Sequence, residues 1–209
     1  MSSKRSRALI VIDPQNEYVT GAVKIEYPPL DVSLPNIARA IEAAAAADIP
    51  VVLVQHAEPA GAPVFVKDTE GWQFHPSIQA LSGSVAKTIH KALPSAFAGT
   101  DLEAWLRARG INTITIAGYL TNNCDQSTAN NAVHLGFDVE FLSDASGAIS
   151  LANEAGRKTA KEVHDTFGVV LQSRFAAVLK TQDWIRAIGG GAEPARSNLL
   201  VSYIAAAAG

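Results

Sequence analysis

Cysteine is scarce in this chain of 209 residues, which contains only one. A lone cysteine cannot form an internal disulfide, so the composition fits a protein of a reducing cytoplasm. No stretch approaches the ~20 consecutive apolar residues of a membrane span. The basic segment at residues 1–7 leads into an apolar run of strand length only, which is too short for the core of a secretory signal peptide. We therefore expect a cytoplasmic protein that does not bind membranes.

Patterns typical of nucleic-acid and nucleotide binding are also missing. The formal net charge is −3, and no segment interleaves basic and aromatic residues, so nucleic acid is not an expected partner. No Gly-x-Gly-x-x-Gly turn follows the first apolar run, where the chain reads Asp13-Pro14-Gln15-Asn16, and this argues against a nucleotide-binding Rossmann domain. With 48% hydrophobic residues the chain can bury one sizeable core. We predict a single domain over residues 1–209, with a core at about 7–175 and a C-terminal extension at 176–209.

Short β-rich runs alternate with Ala-rich helical segments, a pattern typical of an α/β fold with a mainly parallel sheet. Pro35 is expected to open the first long helix, while Gly110 and Gly136 lie where two later helices should end. The predicted strands lie near residues 8–13, 51–55, 85–89, 113–118, 138–142 and 168–172. The predicted helices lie near residues 34–47, 101–109, 124–136 and 153–165.

The single cysteine, Cys124, lies where a strand-like run, residues 114–120, gives way to a helix-compatible stretch. A thiol at the N-terminus of a helix feels the positive end of the macrodipole, which lowers its pKa, and the free N–H groups there can receive an oxyanion. A buried structural cysteine is the alternative.

Two further polar residues, Asp13 and Lys91, also follow apolar runs of strand length. Because the carboxyl ends of parallel strands form one edge of a sheet, these side chains and Cys124 are expected to converge in one crevice. An acid, an ammonium and a thiol together would supply a base, an orienting charge and a nucleophile. Taken singly, Asp13 could be a turn residue before Pro14, and Lys91 could be a solvated surface lysine.

Four segments of the chain resemble those of a known family in their order and spacing. They are Ala8 to Asn16, Lys91 to Thr100, Gly118 to Ala129, and Asp144-Ala145. They are similar to the isochorismatase-like cysteine hydrolases over about residues 7–175. The resemblance implies a three-layer α/β/α fold around a six-stranded, mainly parallel sheet in the order 3-2-1-4-5-6, and a homo-oligomer, either a dimer or a tetramer.

The same resemblance implies roles for particular residues. Asp13, Lys91 and Cys124 would form the catalytic triad. A cis peptide bond between Leu120 and Thr121 would help to aim the backbone N–H groups of Leu120 and Cys124 as an oxyanion hole. Asp125 departs from the apolar residue that is common after the cysteine, and we expect its side chain to point outward, because a carboxylate pointing inward would oppose a thiolate.

The nicotinamidase branch of this family carries an Asp and His cluster after its second strand, and this chain departs from that pattern. It has His56 and Glu58 there, without an Asp-x-His pair. A zinc ion needs three or four ligands held together, and His75 is the only other residue considered for such a set. We predict no metal and no other cofactor.

A segment rich in Pro, Gly and aromatic residues, about 56–84, is too long to be a passive connection. It is predicted to fold over the crevice and supply pocket walls, although a surface loop with its own small core is the alternative. Residues predicted to contact substrate are Gln15, Asn16, Phe65, Trp72 and Tyr119. In the extension, a Gly-rich hinge at 189–191 precedes the apolar segment 199–208, which suggests packing against a neighbouring subunit.

The predicted function is hydrolysis of a C–N bond in a small amide, carbamoyl or ureido compound through a cysteine thioester. An isochorismatase-type vinyl ether hydrolase, which needs no thiol, is one alternative. A catalytically silent relative that acts as a binding or assembly module is another.

Overall fold

A computed structural model describes residues 5–208, and its centre is a six-stranded parallel sheet in the order β3-β2-β1-β4-β5-β8. The predicted α/β class and strand order are confirmed, with β8 as the sixth strand of the sheet. A short antiparallel hairpin, β6 and β7, lies outside it. The strands are β1 Arg7–Ile12, β2 Val51–His56, β3 Val85–Lys91, β4 Thr113–Tyr119, β5 Asp138–Gly147, β6 Leu151–Asn153, β7 Gly156–Lys158 and β8 Ala177–Leu179.

Helices cover both faces of this sheet. Helices α2 and α7 pack on one face, and α4 and α5 pack on the other. None of the helices within residues 5–208 combines the length and the apolar character needed to cross a bilayer. The helices are α1 Asn16–Val19, α2 Leu30–Ala46, α3 Pro76–Gln79, α4 Leu102–Arg107, α5 Gln126–His134, α6 Ala160–Val170, α7 Thr181–Ile188 and α8 Leu199–Ala207.

The central strand β1 is apolar throughout because both of its faces are covered. Ala8, Ile10 and Ile12 pack into one hydrophobic cluster, while Leu9 and Val11 pack into the other. This is the pattern expected of a parallel strand buried between two layers of helices. The carboxyl end of β1 therefore emerges from the middle of the sheet, between β2 and β4.

The last predicted strand, residues 168–172, is wrong. Those residues form the end of α6 and the start of a π-helical turn, Leu171–Phe175, and the strand follows at Ala177–Leu179. The apolar run at 168–172 has the composition of a buried strand, but it lies on a helix surface, where Val169 is 70% exposed. The helix predicted at 153–165 begins later, since Thr159 and Glu162 form a reciprocal capping box that fixes its start.

The helix predicted at 34–47 begins earlier than expected, at Leu30. We predicted Pro35 at the first position of this helix, but it lies inside the helix. A proline in the second turn loses one intrahelical hydrogen bond, and burial of Ile37, Ala40 and Ile41 on the sheet holds the helix nonetheless.

A buried carboxylate ties the two ends of the chain to the sheet. Glu140 on β5 has no exposed surface and accepts hydrogen bonds from Arg7, Thr115 and Trp184. Trp184 on α7 is itself fully buried. The packed core therefore continues past residue 175, the predicted limit, because β8 and α7 complete the sheet and one of its faces. Residues 1–4 and 209 of the predicted domain lie outside the described part.

Candidate active site

Three strand ends place the predicted catalytic residues together. Asp13 directly follows β1, Lys91 is the last residue of β3, and Cys124 lies in a π-helical turn, Thr121–Asp125, that joins β4 to α5. The Lys91 ammonium lies 2.7 Å from Asp13 Oδ2 and 3.3 Å from Cys124 Sγ. Residues that are 78 and 33 positions from Lys91 in sequence thus meet at a single nitrogen atom.

The third partner of Lys91 is His56, at the end of β2. Lys91 Nζ lies 3.4 Å from His56 Nδ1, and His56 Nε2 lies 2.8 Å from Glu58 Oε1. A lysine ammonium has three N–H donors, and three groups lie within reach of this one: the Asp13 carboxylate, the Cys124 sulfur and the His56 ring. Nδ1 accepts from Lys91 when Nε2 carries the proton, and Glu58 favours that tautomer. Nothing in the sequence pointed to this contact, since His56 and Glu58 stood out only as possible metal ligands.

The acid and the ammonium are almost fully withdrawn from solvent, since Asp13 has no exposed surface and Lys91 is 3% exposed. Burial raises the pKa of Asp13, although the Lys91 charge opposes that shift. Burial also acts to lower the pKa of Lys91, but the charges of Asp13 and Cys124 outweigh it, and the net shift is upward. A charged ammonium is therefore the favoured form of Lys91.

The thiol differs from our expectation. Cys124 is only 3% exposed, and burial, followed by the neighbouring Asp13 charge, raises the pKa of its thiol above the ordinary value. The predicted lowering by the helix N-terminus is wrong because removal from water and the nearby acid outweigh the opposing charge of Lys91. The resting site therefore holds a protonated sulfur beside an acid and an ammonium.

The turn after β4 contains the cis peptide bond, but at a different position from the one predicted. It joins Tyr119 to Leu120 rather than Leu120 to Thr121. The Leu120 carbonyl accepts hydrogen bonds from the N–H groups of Asn123 and Asp125, so the Leu120–Thr121 peptide unit already belongs to the helical turn, where bonds are trans. Gly118 comes just before, at φ 121°, and a Cβ there would lie 2.0 Å from the Ile12 carbonyl oxygen.

A family model described as the isochorismatase domain matches residues 7–183. The chain belongs to the isochorismatase family. A crystal structure of a candidate isochorismatase from Burkholderia xenovorans LB400 is 52% identical to it, with a TM-score of 0.95, and the match covers 99% of this chain and 98% of that one.

Two curated relatives extend the comparison within the isochorismatase family. The secreted isochorismatase effector Isc1 of Verticillium dahliae is 32% identical, over 83% of this chain and 91% of its own length. The ureidoacrylate amidohydrolase RutB of Acinetobacter baylyi is 31% identical, over 66% of this chain and 69% of its own length.

Asp125, the departure from the family pattern beside the cysteine, points inward rather than outward as predicted. It has no exposed surface, and neither carboxyl oxygen has a hydrogen bond of good geometry. Burial and the Asp13 charge raise the pKa of Asp125 to about 8. An inward Asp125 is compatible with the cysteine when it is protonated, because a neutral acid does not repel the sulfur.

A buried histidine, His164 on α6, supports the turn that carries the cysteine. Its Nδ1 lies 2.9 Å from Thr121 Oγ1, and that hydroxyl also donates to the Gly147 carbonyl at 3.1 Å. Burial lowers the pKa of His164, so its neutral form is favoured. This contact joins residues 43 positions apart and has no signal in the sequence.

The residues predicted to contact substrate each lie in a different environment. Gln15 links the 56–84 segment to β2. Its side-chain amide donates to the carbonyls of His56 and Trp72 and accepts from the His56 N–H. Asn16 donates to the Glu70 carbonyl. Phe65 contacts the His56 ring edge to face, with 5.5 Å between centroids. Tyr119 has no exposed surface, so it supports the site from within the core rather than lining a pocket.

The 56–84 segment covers this end of the sheet, close to the triad. It pairs with the chain after β1 through a bridge between Gln15 and Phe74. A cavity of about 570 Å³ lies beside it, lined by Asn16, Gln55, Trp72 and Phe74 among others. Trp72 and Phe74 therefore line a cavity, but Asp13, Lys91 and Cys124 are not among its lining residues.

The residues considered for a metal do not form a ligand set. His56 and Glu58 bond to each other, whereas His75 bonds to Ser77. Among residues 5–208, no group of three or more His, Cys, Asp or Glu side chains is arranged to hold a metal ion.

Proposed function

We propose that this protein is a cysteine-dependent amidohydrolase that cleaves the C–N bond of a small amide, carbamoyl or ureido compound. The observation that carries the proposal is the buried ammonium of Lys91, which contacts both Asp13 and Cys124. A nucleophile, a base and an orienting cation within hydrogen-bond reach are the minimum machinery for acyl transfer. The similarity to a relative named as an amidohydrolase supports the C–N class of bond.

The reaction would begin with transfer of the thiol proton to Asp13 as Cys124 Sγ attacks the substrate carbonyl carbon. Both groups have raised pKa values, so the proton can move between them without forming a stable thiolate first. The backbone N–H groups of Leu120 and Cys124 would stabilise the oxyanion, and one such donor is worth about 3 kcal/mol of barrier.

Collapse of the tetrahedral intermediate would break the C–N bond while Asp13 gives its proton to the leaving nitrogen. The products of this half-reaction are an amine or ammonia and a thioester on Cys124. Water, deprotonated by Asp13, would then attack the thioester, release the carboxylic acid and restore the thiol. Lys91 stays charged throughout and balances the negative charge that moves between Asp13 and the oxyanion.

His56 and Glu58 are proposed as positioning residues in this scheme. His56 Nδ1 lies 3.4 Å from Lys91 Nζ, and by accepting one of its N–H groups it would limit rotation of the ammonium. Glu58 holds the imidazole in the tautomer that can accept. Neither side chain is required to touch the reacting atoms.

Two alternatives remain to be separated from this proposal. An isochorismatase-type vinyl ether hydrolase would gain nothing from a thiol in contact with a base, and a silent binding module would not need one. A cytoplasmic location also stays a prediction, which rests on the single cysteine. Small molecules are the proposed partners of the site.

The test is an ammonia-release screen across small amides, ureas and carbamoyl compounds, comparing the natural protein with Cys124→Ala. We expect release that the variant abolishes, because removal of the nucleophile leaves no covalent route. Mass spectrometry should detect an acyl adduct on Cys124 during turnover of the active compound. Undiminished ammonia release by Cys124→Ala would contradict covalent catalysis.

A matched control separates loss of chemistry from loss of fold. Cys124→Ser keeps the volume and a hydroxyl at the same position but is a much weaker nucleophile beside the same base. Both variants should unfold at temperatures close to that of the natural protein. Hydrolysis of a vinyl ether with equal rates in all three proteins would favour the isochorismatase-type alternative.

A further inference from the structure

A cavity separate from the triad lies beside the last two strands of the sheet. Its volume is about 480 Å³, and its lining includes Ser143 of β5 and Lys180, which directly follows β8. Both residues lie one position beyond the paired residues of the two strands. The carboxyl ends of parallel strands are where ligands bind in open α/β sheets. The triad residues, which all lie within the described chain, are not part of this lining.

Helix α6 forms one wall of the cavity through a row of residues spaced four apart. His164, Gly168 and Gln172 all line it, the last from the π-helical turn that extends α6. A side chain at position 168 would therefore project toward the cavity. A Cβ on Gly168 would meet no heavy atom within 4 Å beyond the backbone of its own helix, so packing within residues 5–208 does not demand a glycine there. Glycine weakens a helix interior relative to alanine, so this open space lowers the stability of α6.

The cavity combines apolar walls with one uncompensated positive charge. Tyr27 and Val178 supply apolar surface. Asp165 and Lys180 are the charged residues of the lining, and Asp165 is already paired with Lys161. Within residues 5–208, no carboxylate lies at ion-pair distance from Lys180. The cavity therefore offers a free ammonium to a ligand that carries negative charge.

Size and charge together narrow the chemistry of that ligand. The volume of about 480 Å³ lies within the ~300–1,000 Å³ of typical small-molecule sites, and a bare inorganic anion would leave most of it unfilled. Phosphate groups are commonly held by helix N-termini or by several cations, whereas this cavity has one ammonium. We propose that the cavity binds a small organic carboxylate, with its charge at Lys180 and its apolar body against Tyr27 and Val178.

The cavity is connected to the candidate active site through His164. The His164 ring meets that of Tyr27 edge to face, with 5.6 Å between centroids, and its Nδ1 lies 2.9 Å from Thr121 Oγ1. Thr121 is the first residue of the turn that carries Cys124. A ligand packed against Tyr27 and His164 would restrict their motion, and that of the turn through Thr121. Cys124 is only 3% exposed, so alkylation of its sulfur requires local movement, and occupancy of the cavity should slow it.

Isothermal titration calorimetry of the full chain with sodium hexanoate tests the site, and hexanamide is the uncharged probe of the same shape. We expect hexanoate to bind with a dissociation constant of about 1 mM, which is typical of a ligand of this size. Hexanamide should bind at least ~10-fold more weakly, because it loses a hydrogen bond between charged groups. Saturating hexanoate should slow alkylation of Cys124 by iodoacetamide at least ~2-fold.

Two variants change the cavity in different ways. Lys180→Met keeps the length of the side chain but removes its charge, so it should bind hexanoate ~10-fold more weakly and no longer prefer it to hexanamide. Gly168→Leu keeps the charge and fills part of the cavity, so it should weaken both probes, and leucine favours the helix. Lys87→Met, on the opposite edge of the sheet, is the matched control and should bind both probes as the natural protein does.

Circular dichroism should show all four proteins folded. The proposal would be overturned if hexanoate did not bind, if it bound no more tightly than hexanamide, or if Lys180→Met and Gly168→Leu bound it as the natural protein does. It would also be overturned if hexanoate slowed alkylation equally in Lys180→Met, because the probe would then act at the triad itself. Neither measurement uses turnover, so the outcome is independent of the amidohydrolase proposal.

Discussion

The triad and helix α8 place charge and hydrocarbon in opposite ways. In the triad, an acid and an ammonium lie in the interior, each at most 3% exposed, and they pair with each other. On α8, five large apolar side chains are at least 54% exposed, and nothing in the described chain covers them. A buried charge costs free energy unless it is paired. Exposed hydrocarbon is tolerated in water, but a large apolar patch favours contact with other molecules.

The comparison teaches where to look for function in this molecule. Both regions retain an unfavourable placement that a protein selected only for stability would lose. The difference is that the charges of the triad are paired within one chain, whereas the apolar side chains of α8 are left uncovered among residues 5–208. Changes in the triad should therefore alter both stability and chemistry, whereas changes to the exposed side chains of α8 should leave the chemistry unaltered.

The largest effect is expected from Lys91→Met, which keeps the length of the side chain but removes its charge. Asp13 would be left buried without its ion pair, and breaking such a pair costs about 3–5 kcal/mol of unfolding free energy. Ammonia release should fall by at least ~1,000-fold, because no cation remains to balance the oxyanion. Urea unfolding and initial rates measure the two effects.

Lys87→Met is the matched control on the same strand. Lys87 pairs with Asp101 at the surface, where such a pair is worth about 0–1 kcal/mol, so both stability and rate should change little. Tyr203→Ser, from the other side of the comparison, should leave the rate unchanged. Equal losses in Lys91→Met and Lys87→Met would mean that the buried pair has no special role.

An intermediate effect is expected from Asp125→Asn, and it depends on pH. The folded pKa of Asp125, about 8, lies above the ordinary value of 3.8, so between these values the folded state binds more protons than the unfolded state. Stability is then lost as pH rises, by up to a few kcal/mol. An asparagine cannot ionise, so the variant should gain on the natural protein steadily as pH rises from about 4 to about 8.

Thermal unfolding across that pH range provides the measurement, and Asp138→Asn is a control, because Asp138 is exposed at the start of β5. The control should follow the natural protein at each pH. If Asp125→Asn and the natural protein lost stability in parallel, Asp125 would already be ionised in the folded state, and burial would not govern it.

The smallest effect is expected from His56→Ala, which removes the acceptor for one Lys91 N–H without touching the reacting atoms. We expect kcat to fall on the order of 10-fold with little change in KM, because a misplaced ammonium weakens the transition state more than substrate binding. His56→Asn, whose Oδ1 can replace Nδ1 as an acceptor, should recover most of the rate. A purely structural role would instead lower the unfolding temperature of both variants without separating their kcat values.

Patterns along the chain predicted the α/β class and placed Asp13, Lys91 and Cys124 near strand ends, whereas the predicted sheet order came from the family resemblance. They succeeded because apolar runs mark buried strands, and polar residues at the ends of parallel strands must share one edge. They failed at residues 168–172, where a helix with exposed valines has the composition of a strand, and at Pro35, where packing outweighs a local preference.

The sequence by itself determined which residues could act as acid, cation and nucleophile, because these are properties of the side chains and of the strands that carry them. Only the tertiary structure decided their states. Burial raises the pKa values of Cys124, Asp13 and the inward-pointing Asp125. Packing of β2 beside β3 brings His56 to Lys91. These outcomes depend on which atoms exclude water from each group, and that is fixed by packing between distant segments rather than by local pattern.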